Sequence, residues 1–187
     1  IAVLTDSYKA GHFMMYPDAK KMVAYGECRQ SFNKDEWDHR FVVYGIRYFV
    51  ENYLLRQWTI EDVQMADKFY ESHNVGADGG FSSYPYPRDL FLKFITENNG
   101  YFPVKFQALR DGTCAHVHTP IFQITAEGEY SRLCTFLETV LTHIWYACNV
   151  ATLSRRTRDL IEDAFDRSVD EEMYFLIESR LHDFGFR

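Results

Sequence analysis

Between Glu129 and Asn149 the chain sets Leu133, Phe136, Leu137, Val140, Leu141, Ile144 and Trp145 at helical spacing. That pattern is the broad apolar stripe of an amphipathic helix. It predicts a helix over 129–149 that has to lie flat on a large apolar surface. Any fold open to this chain must supply that surface. A second helix is predicted over 150–167, with Leu153, Leu160, Ile161 and Phe165 on one side, and a third over 170–179.

The rest of the chain has the material for it. The 16 Phe and 13 Tyr bury large areas per residue and leave rings over for a flat ligand. Helices are predicted over 41–57, over 59–72 and over 88–98. Thr59 is the expected N-cap of the second, with Glu61 and Asp62 in its first turn, where the helix dipole favours acids. Gly100 suits the end of the third. Ile1–Leu4 and Met22–Cys28 read as short strands. Pro103–Leu109, Thr113–His118 and Ile121–Thr125 read as three more, forming a small antiparallel unit around the Asp111-Gly112 turn. Segments 31–40 and 74–87 read as loops. Short strands and long helices in this mixture make an α+β chain. Residues 1–149 read as one domain and 150–187 as the start of another.

A formal charge of −7, with no run of Lys and Arg, argues against nucleic acid as a partner. No apolar run reaches membrane-crossing length, and no signal peptide is visible. Cys28, Cys114, Cys134 and Cys148 form no CxxC pair, which fits reduced thiols in a cytoplasmic protein. The chain starts at Ile1 without Met and stops on an apolar, turn-forming segment, so it is expected to be a piece of something longer.

Four places hold chemistry. Thr5-Asp6-Ser7-Tyr8-Lys9 mixes turn formers, a ring and a charge. Glu27-Cys28-Arg29 ends a strand on a guanidinium, either a solvated charge or a phosphate partner. His182-Asp183-Phe184-Gly185-Phe186-Arg187 can present backbone and guanidinium to an anion, or can be a core strand with a charged end. His116 and His118 share one face of a predicted strand, but a zinc site needs a third ligand and none lies near in sequence, so no metal site is expected. Taken singly, each of the four has an ordinary structural reading.

Taken in order, they resemble a family. Thr5-Asp6-Ser7-Tyr8-Lys9 with His12 and Tyr16-Pro17, then Glu27-Cys28-Arg29, then Val150-Ala151-Thr152 with Ser154-Arg155, then Leu181-His182-Asp183-Phe184-Gly185-Phe186-Arg187, are similar to the nicotinamide phosphoribosyltransferases. The first and last motifs are the most specific. The sister enzymes acting on nicotinate share a Thr-Asp-x-Tyr start, and Ser7 and Lys9 favour the nicotinamide side.

The resemblance implies an α+β N-terminal domain leading into an α/β barrel of the type II phosphoribosyltransferase kind, here incomplete. It implies a pentosyltransferase of NAD salvage, joining nicotinamide to phosphoribosyl pyrophosphate to give nicotinamide mononucleotide and pyrophosphate. It implies a cytoplasmic homodimer with shared active sites. Phe184 matches the ring on one face of the base, and Tyr8 the ring on the other face, supplied by the second subunit. Arg187 matches an Arg near the ring amide and the phosphoribosyl group. Arg29 matches one reaching the phosphates from the partner, and Asp6 a motif residue of the same site. Mg²⁺ is implied as bound through pyrophosphate, and ATP coupling is left open. The amide-selecting acid and the phosphorylatable histidine of the family fall beyond residue 187, so the catalytic residues are unknown and residues 1–187 alone are expected to make no product. His182 is not that histidine. Two rival readings are a nicotinate phosphoribosyltransferase and, if the gene ends near residue 187, a non-catalytic protein that dimerises or binds a partner.

Overall fold

The computed structural model describes residues 1–31 and 37–183. The first residues are a turn and not the expected strand: the Leu4 N–H donates to the Ile1 carbonyl at 2.8 Å, and Leu4 is exposed. One turn of helix follows, α1 (Ser7–Gly11), running into a 3-10 turn at His12–Met14. Strand β1 (Lys21–Glu27) lies where a strand was expected.

The next helix departs from expectation. Strand β2 (Arg40–Val42) occupies its first residues, and helix begins only at α2 (Ile46–Phe49), continuing as a π-turn through Val50–Leu54. Phe41 and Val42 are held in a ladder with Ala115 and Cys114. Gly45, at φ +93°, then turns the chain into α2, a conformation open to glycine and costly for other residues.

Helix α3 (Ile60–Glu71) starts at the expected cap. Thr59 and Asp62 close a reciprocal capping box, which satisfies two otherwise orphaned N–H donors. The following loop contains a small hairpin, β3 (Asn74–Val75) with β4 (Phe81–Ser82). Helix α4 (Arg88–Glu97) ends through Asn99 and Gly100, both at positive φ.

Strands β5 (Lys105–Ala108), β6 (Cys114–His116) and β7 (Pro120–Glu127) complete the sheets. They do not form one three-stranded unit. β7 is the centre of an antiparallel sheet between β1 and β5, with Ala24 opposite Ile124 and Phe106 opposite Ile124 on the other side. β6 leaves that sheet and pairs with β2. All three sheets among the described residues are antiparallel.

After a 3-10 segment at Gly128–Leu133 comes α5 (Glu138–Ser168), a single helix of 31 residues. Two helices meeting near residue 150 were expected, but the chain crosses that position without a break, so the boundary set between 149 and 150 falls inside α5. A 3-10 segment, Glu171–Ser179, follows. Phe184 to Arg187, where a barrel strand was expected, lie outside the described residues.

The core forms beneath the start of α5. Leu133, Phe136, Leu137, Val140, Leu141 and Ile144 are buried as their spacing requires, but Trp145 is 53% exposed. Opposite them Trp58 packs against Phe91, Phe94, Phe102 and Phe136, with ring centroids 5.0–6.1 Å apart. Edge and tilted contacts of this kind add to the area that the rings bury. Beyond Cys148 the helix has no fully buried residue, and Leu153 and Leu160 are exposed.

Candidate functional site

Asp6 and Tyr8 sit on the single turn of α1. A helix of 5 residues has almost no stability of its own, so its place is set by what it touches. Among the described residues, the side-chain hydrogen bonds from residues 5–16 to the rest of the chain lead, with one exception, to residues 135–139. The Thr5 hydroxyl donates to the Phe136 carbonyl at 3.0 Å. Asp6 occupies the N-cap position but does not cap its own helix. Its N–H donates to Thr139 Oγ1 at 3.0 Å, and that same hydroxyl donates back to the Asp6 carboxylate at 2.9 Å. Lys9, buried at 8% exposure, forms an ion pair with Glu138. The Tyr16 hydroxyl lies 2.6 Å from Thr135 Oγ1 and 3.1 Å from His12 Nδ1. The exception is Ser7, whose hydroxyl meets His73 Nε2 at 2.5 Å.

With its neighbours tied down, Tyr8 faces outward and is 54% exposed. Its ring is flanked by His12, 5.4 Å away and edge-on, and by the Lys9 ammonium 5.1 Å from its centroid. One broad face of an anchored tyrosine is thus presented at the surface.

Arg29 lies elsewhere. It follows β1, is exposed, and lines a groove of about 1430 Å³ between the β1 end, β2 and α5. Gly26 forms part of the wall, directly opposite Phe122 in the ladder, where a Cβ would run into the Phe122 ring. Arg40 and Arg156 also line it. Arg156 donates to the Asp38 carboxylate at 3.3 Å and to the Arg40 carbonyl at 3.1 Å. The Arg40 side chain, then its N–H, hold the Asp38 carboxyl well below the usual carboxylate range. These two arginines therefore already spend charge on Asp38. Asp183 stands on the same groove and accepts from the Ser154 hydroxyl at 2.6 Å.

Of the residues singled out in sequence, the structure brings Asp6 and Tyr8 onto one turn, and Arg29 onto a groove that also holds Asp183. Tyr8 does not line that groove. Phe184 and Arg187 lie outside the described residues. Sequence reasoning missed Lys9–Glu138 and Thr139, whose partners are some 130 residues away. It also missed Arg156. There a signal was present, because Cys148, Thr152 and Arg156 recur every fourth residue. Thr152 accepts from the Val42 N–H at 2.9 Å, which seats that face of α5 on β2.

His118 sits at φ +63°, off the end of β6, with Nδ1 3.3 Å from Glu27 Oε1. Among the described residues no three His, Cys, Asp or Glu side chains converge as metal ligands. The described residues therefore offer no protein ligand set for Mg²⁺.

The thiols differ in reach. Cys114 is exposed; Cys134 and Cys148 are buried. Cys28 is half-buried, and its thiol is pushed up to about 11 by burial first, then by Cys148 and Glu27. The thiolate is the reactive form. Iodoacetamide under native, mildly alkaline conditions should therefore label Cys114 first, and Cys28, Cys134 and Cys148 only after denaturant is added. Peptide mass mapping reads the order, and Cys28 labelled as fast as Cys114 would contradict it.

Residues 1–106 match the family model of the nicotinamide phosphoribosyltransferase N-terminal domain. The chain is 25% identical over 185 residues to a nicotinamide phosphoribosyltransferase of Xanthomonas campestris pv. campestris (strain 8004), covering 98% of this chain and 36% of that protein. It is 22% identical over 167 residues to one of Acinetobacter baylyi, covering 83% of this chain and 32% of that protein. Among solved structures it resembles human nicotinic acid phosphoribosyltransferase, with a TM-score of 0.53 and 22% identity over 83% of this chain and 28% of that one. That likeness is one of fold. The chain spans about a third of the length of the curated relatives it matches.

Proposed function

Because this chain belongs to the nicotinamide phosphoribosyltransferase family, we propose that the whole protein is a pentosyltransferase of NAD salvage. It joins nicotinamide to phosphoribosyl pyrophosphate and releases pyrophosphate. It works in the cytoplasm as a homodimer. The observation that carries the reading is the family match across residues 1–106, which include the motif holding Tyr8, together with the outward exposure of that ring.

In this reading the neutral, flat base lies between two rings, Tyr8 of one protomer and Phe184 of its partner, and is held by stacking more than by charge. Arg29 reaches the phosphates across the same interface, and Arg187 lies by the ring amide and the phosphoribosyl group. Breaking the bond from C1 to pyrophosphate leaves positive charge on the ribose and negative charge on the leaving group, which guanidinium groups stabilise. Mg²⁺, which the family resemblance implies is bound through pyrophosphate, would supply further charge neutralisation there. The α+β part, residues 1–149, leads through the second half of α5 into an α/β barrel. The exposed Leu153 and Leu160 support this, since they are surfaces for a following domain to cover.

The structural neighbour named for nicotinic acid favours a second reading, in which nicotinate is the base. The two readings separate on the full-length protein assayed with each base. The amide-selecting acid that the family resemblance implies beyond residue 187 would repel a carboxylate, so the specificity constant should favour nicotinamide by on the order of a hundredfold or more. Comparable constants would favour the nicotinate reading, and no product from either base would favour the non-catalytic one.

A further inference from the structure

Tyr8 sits on a helical turn too short to orient it, and the groups that do the orienting come from the first two residues of α5. Thr139 spends one hydroxyl twice on Asp6, accepting from its N–H at 3.0 Å and donating to its carboxylate at 2.9 Å. Glu138 meets the Lys9 ammonium, which is 8% exposed. Lys9 is buried while Glu138 is 45% exposed, so loss of Glu138 would leave the buried ammonium without this partner and the pairing constrains the Lys9 end. Asp6 and Lys9 bracket Tyr8, and the Lys9 ammonium also lies 5.1 Å from the Tyr8 ring centroid. Glu138, as the first residue of α5, is a carboxylate at the end of a helix that favours it.

We propose that Glu138 and Thr139 are positioning residues for the base-binding ring, acting through Lys9 and Asp6 to fix the angle at which Tyr8 meets the nicotinamide ring. The inference rests on the base-stacking reading above. It also gives Asp6 a definite role, since its carboxylate is engaged by Thr139 and holds the turn, while the ring beside it meets the ligand. Lys9 likewise works inward, as the anchor on the other side.

The test uses the full-length protein and reads KM for nicotinamide separately from KM for phosphoribosyl pyrophosphate and from kcat. Thr139→Val removes the hydroxyl at constant shape, and Glu138→Gln removes the charge at constant length. Each should raise KM for nicotinamide about fivefold and leave the other two parameters within about twofold, the pattern of lost uniform binding to one substrate. Thr139→Ser should restore the wild-type value. In a Tyr8→Ala background neither substitution should add anything further, because coupled residues fail additivity. Where Thr139→Val or Glu138→Gln fails to fold, Glu138→Asp keeps the charge, shortens the reach and should raise the same KM by a smaller factor. If Tyr8→Ala raises KM for nicotinamide and none of these variants does, the positioning inference is overturned and base stacking stands. The positioning inference is equally overturned if their effects persist in full without the Tyr8 ring. If Tyr8→Ala itself leaves that KM unchanged, base stacking fails, and the inference with it.

Discussion

Replacing Trp58 by alanine is expected to remove about 3–5 kcal/mol of stability, the usual loss when a large buried ring becomes a cavity. Trp58 is 3% exposed and touches four phenylalanine rings drawn from α4, the segment after it, and the approach to α5. Its backbone N–H donates to the Gly100 carbonyl at 2.7 Å, so this residue also marks where the end of α4 is tied back. A domain has roughly 5–15 kcal/mol in total, so the loss should leave it close to unfolding. It should also reach the motif. Phe136, one of the four rings, lends its carbonyl to Thr5, so a collapse around Trp58 disturbs the seat of α1. Urea unfolding followed by circular dichroism measures the effect. Phe81→Ala, at an 82% exposed hairpin position, should shift stability by no more than about 0.5 kcal/mol. Equal shifts for the two variants would refute the placement of the core.

The second large effect is one of loss and recovery. The proposed site takes Tyr8 from one protomer and Phe184 from its partner, so Tyr8→Ala and Phe184→Ala full-length proteins should each lose affinity for nicotinamide. A stacked face is worth on the order of 1 kcal/mol or more. When the two variants are dissociated, mixed in equal amounts and reassociated, half of the dimers are hybrids. One of the two sites in each hybrid then has both rings. About a quarter of the wild-type number of sites should reappear, as two-fold symmetry requires. Product formed at low nicotinamide is the readout. If mixing restores nothing although both variants dimerise, the two rings do not meet across an interface. A non-catalytic protein would show no recovery either, because it has no activity to lose.

What could be read from the sequence was local. The α3 start was legible because Thr59 and Asp62 lie within one turn of each other. The buried stripe before Trp145 was legible because helical spacing and burial coincide there. The expected helix at 41 failed because Phe41 and Val42 have partners at Ala115 and Cys114, and a cross-strand ladder overrides local propensity. The break expected near 150 failed for a related reason. Thr152 and Arg156 continue the face that packs on β2, a contact invisible in the local pattern. At the candidate site the motif residues stood out by their types. Their supports did not, because Glu138 and Thr139 look like an ordinary helix start until α1 is seen resting on them.

The unbroken course of α5 has a mechanical consequence. Its 31 residues make a lever about 46 Å long. The inner arm is clamped in the core, Thr152 and Arg156 carry the contact on to β2 and Asp38, and the Glu171–Ser179 segment folds back on the outer arm, with Arg158 bound to Glu178. For a stiff lever, a tilt of about 5° at Glu138 sweeps Ser168 through about 4 Å. The aim of what is attached after Ser168 therefore depends on packing at Leu137, Val140, Leu141, Ile144 and Cys148, a stretch that begins beside the residues 135–139 holding the α1 turn.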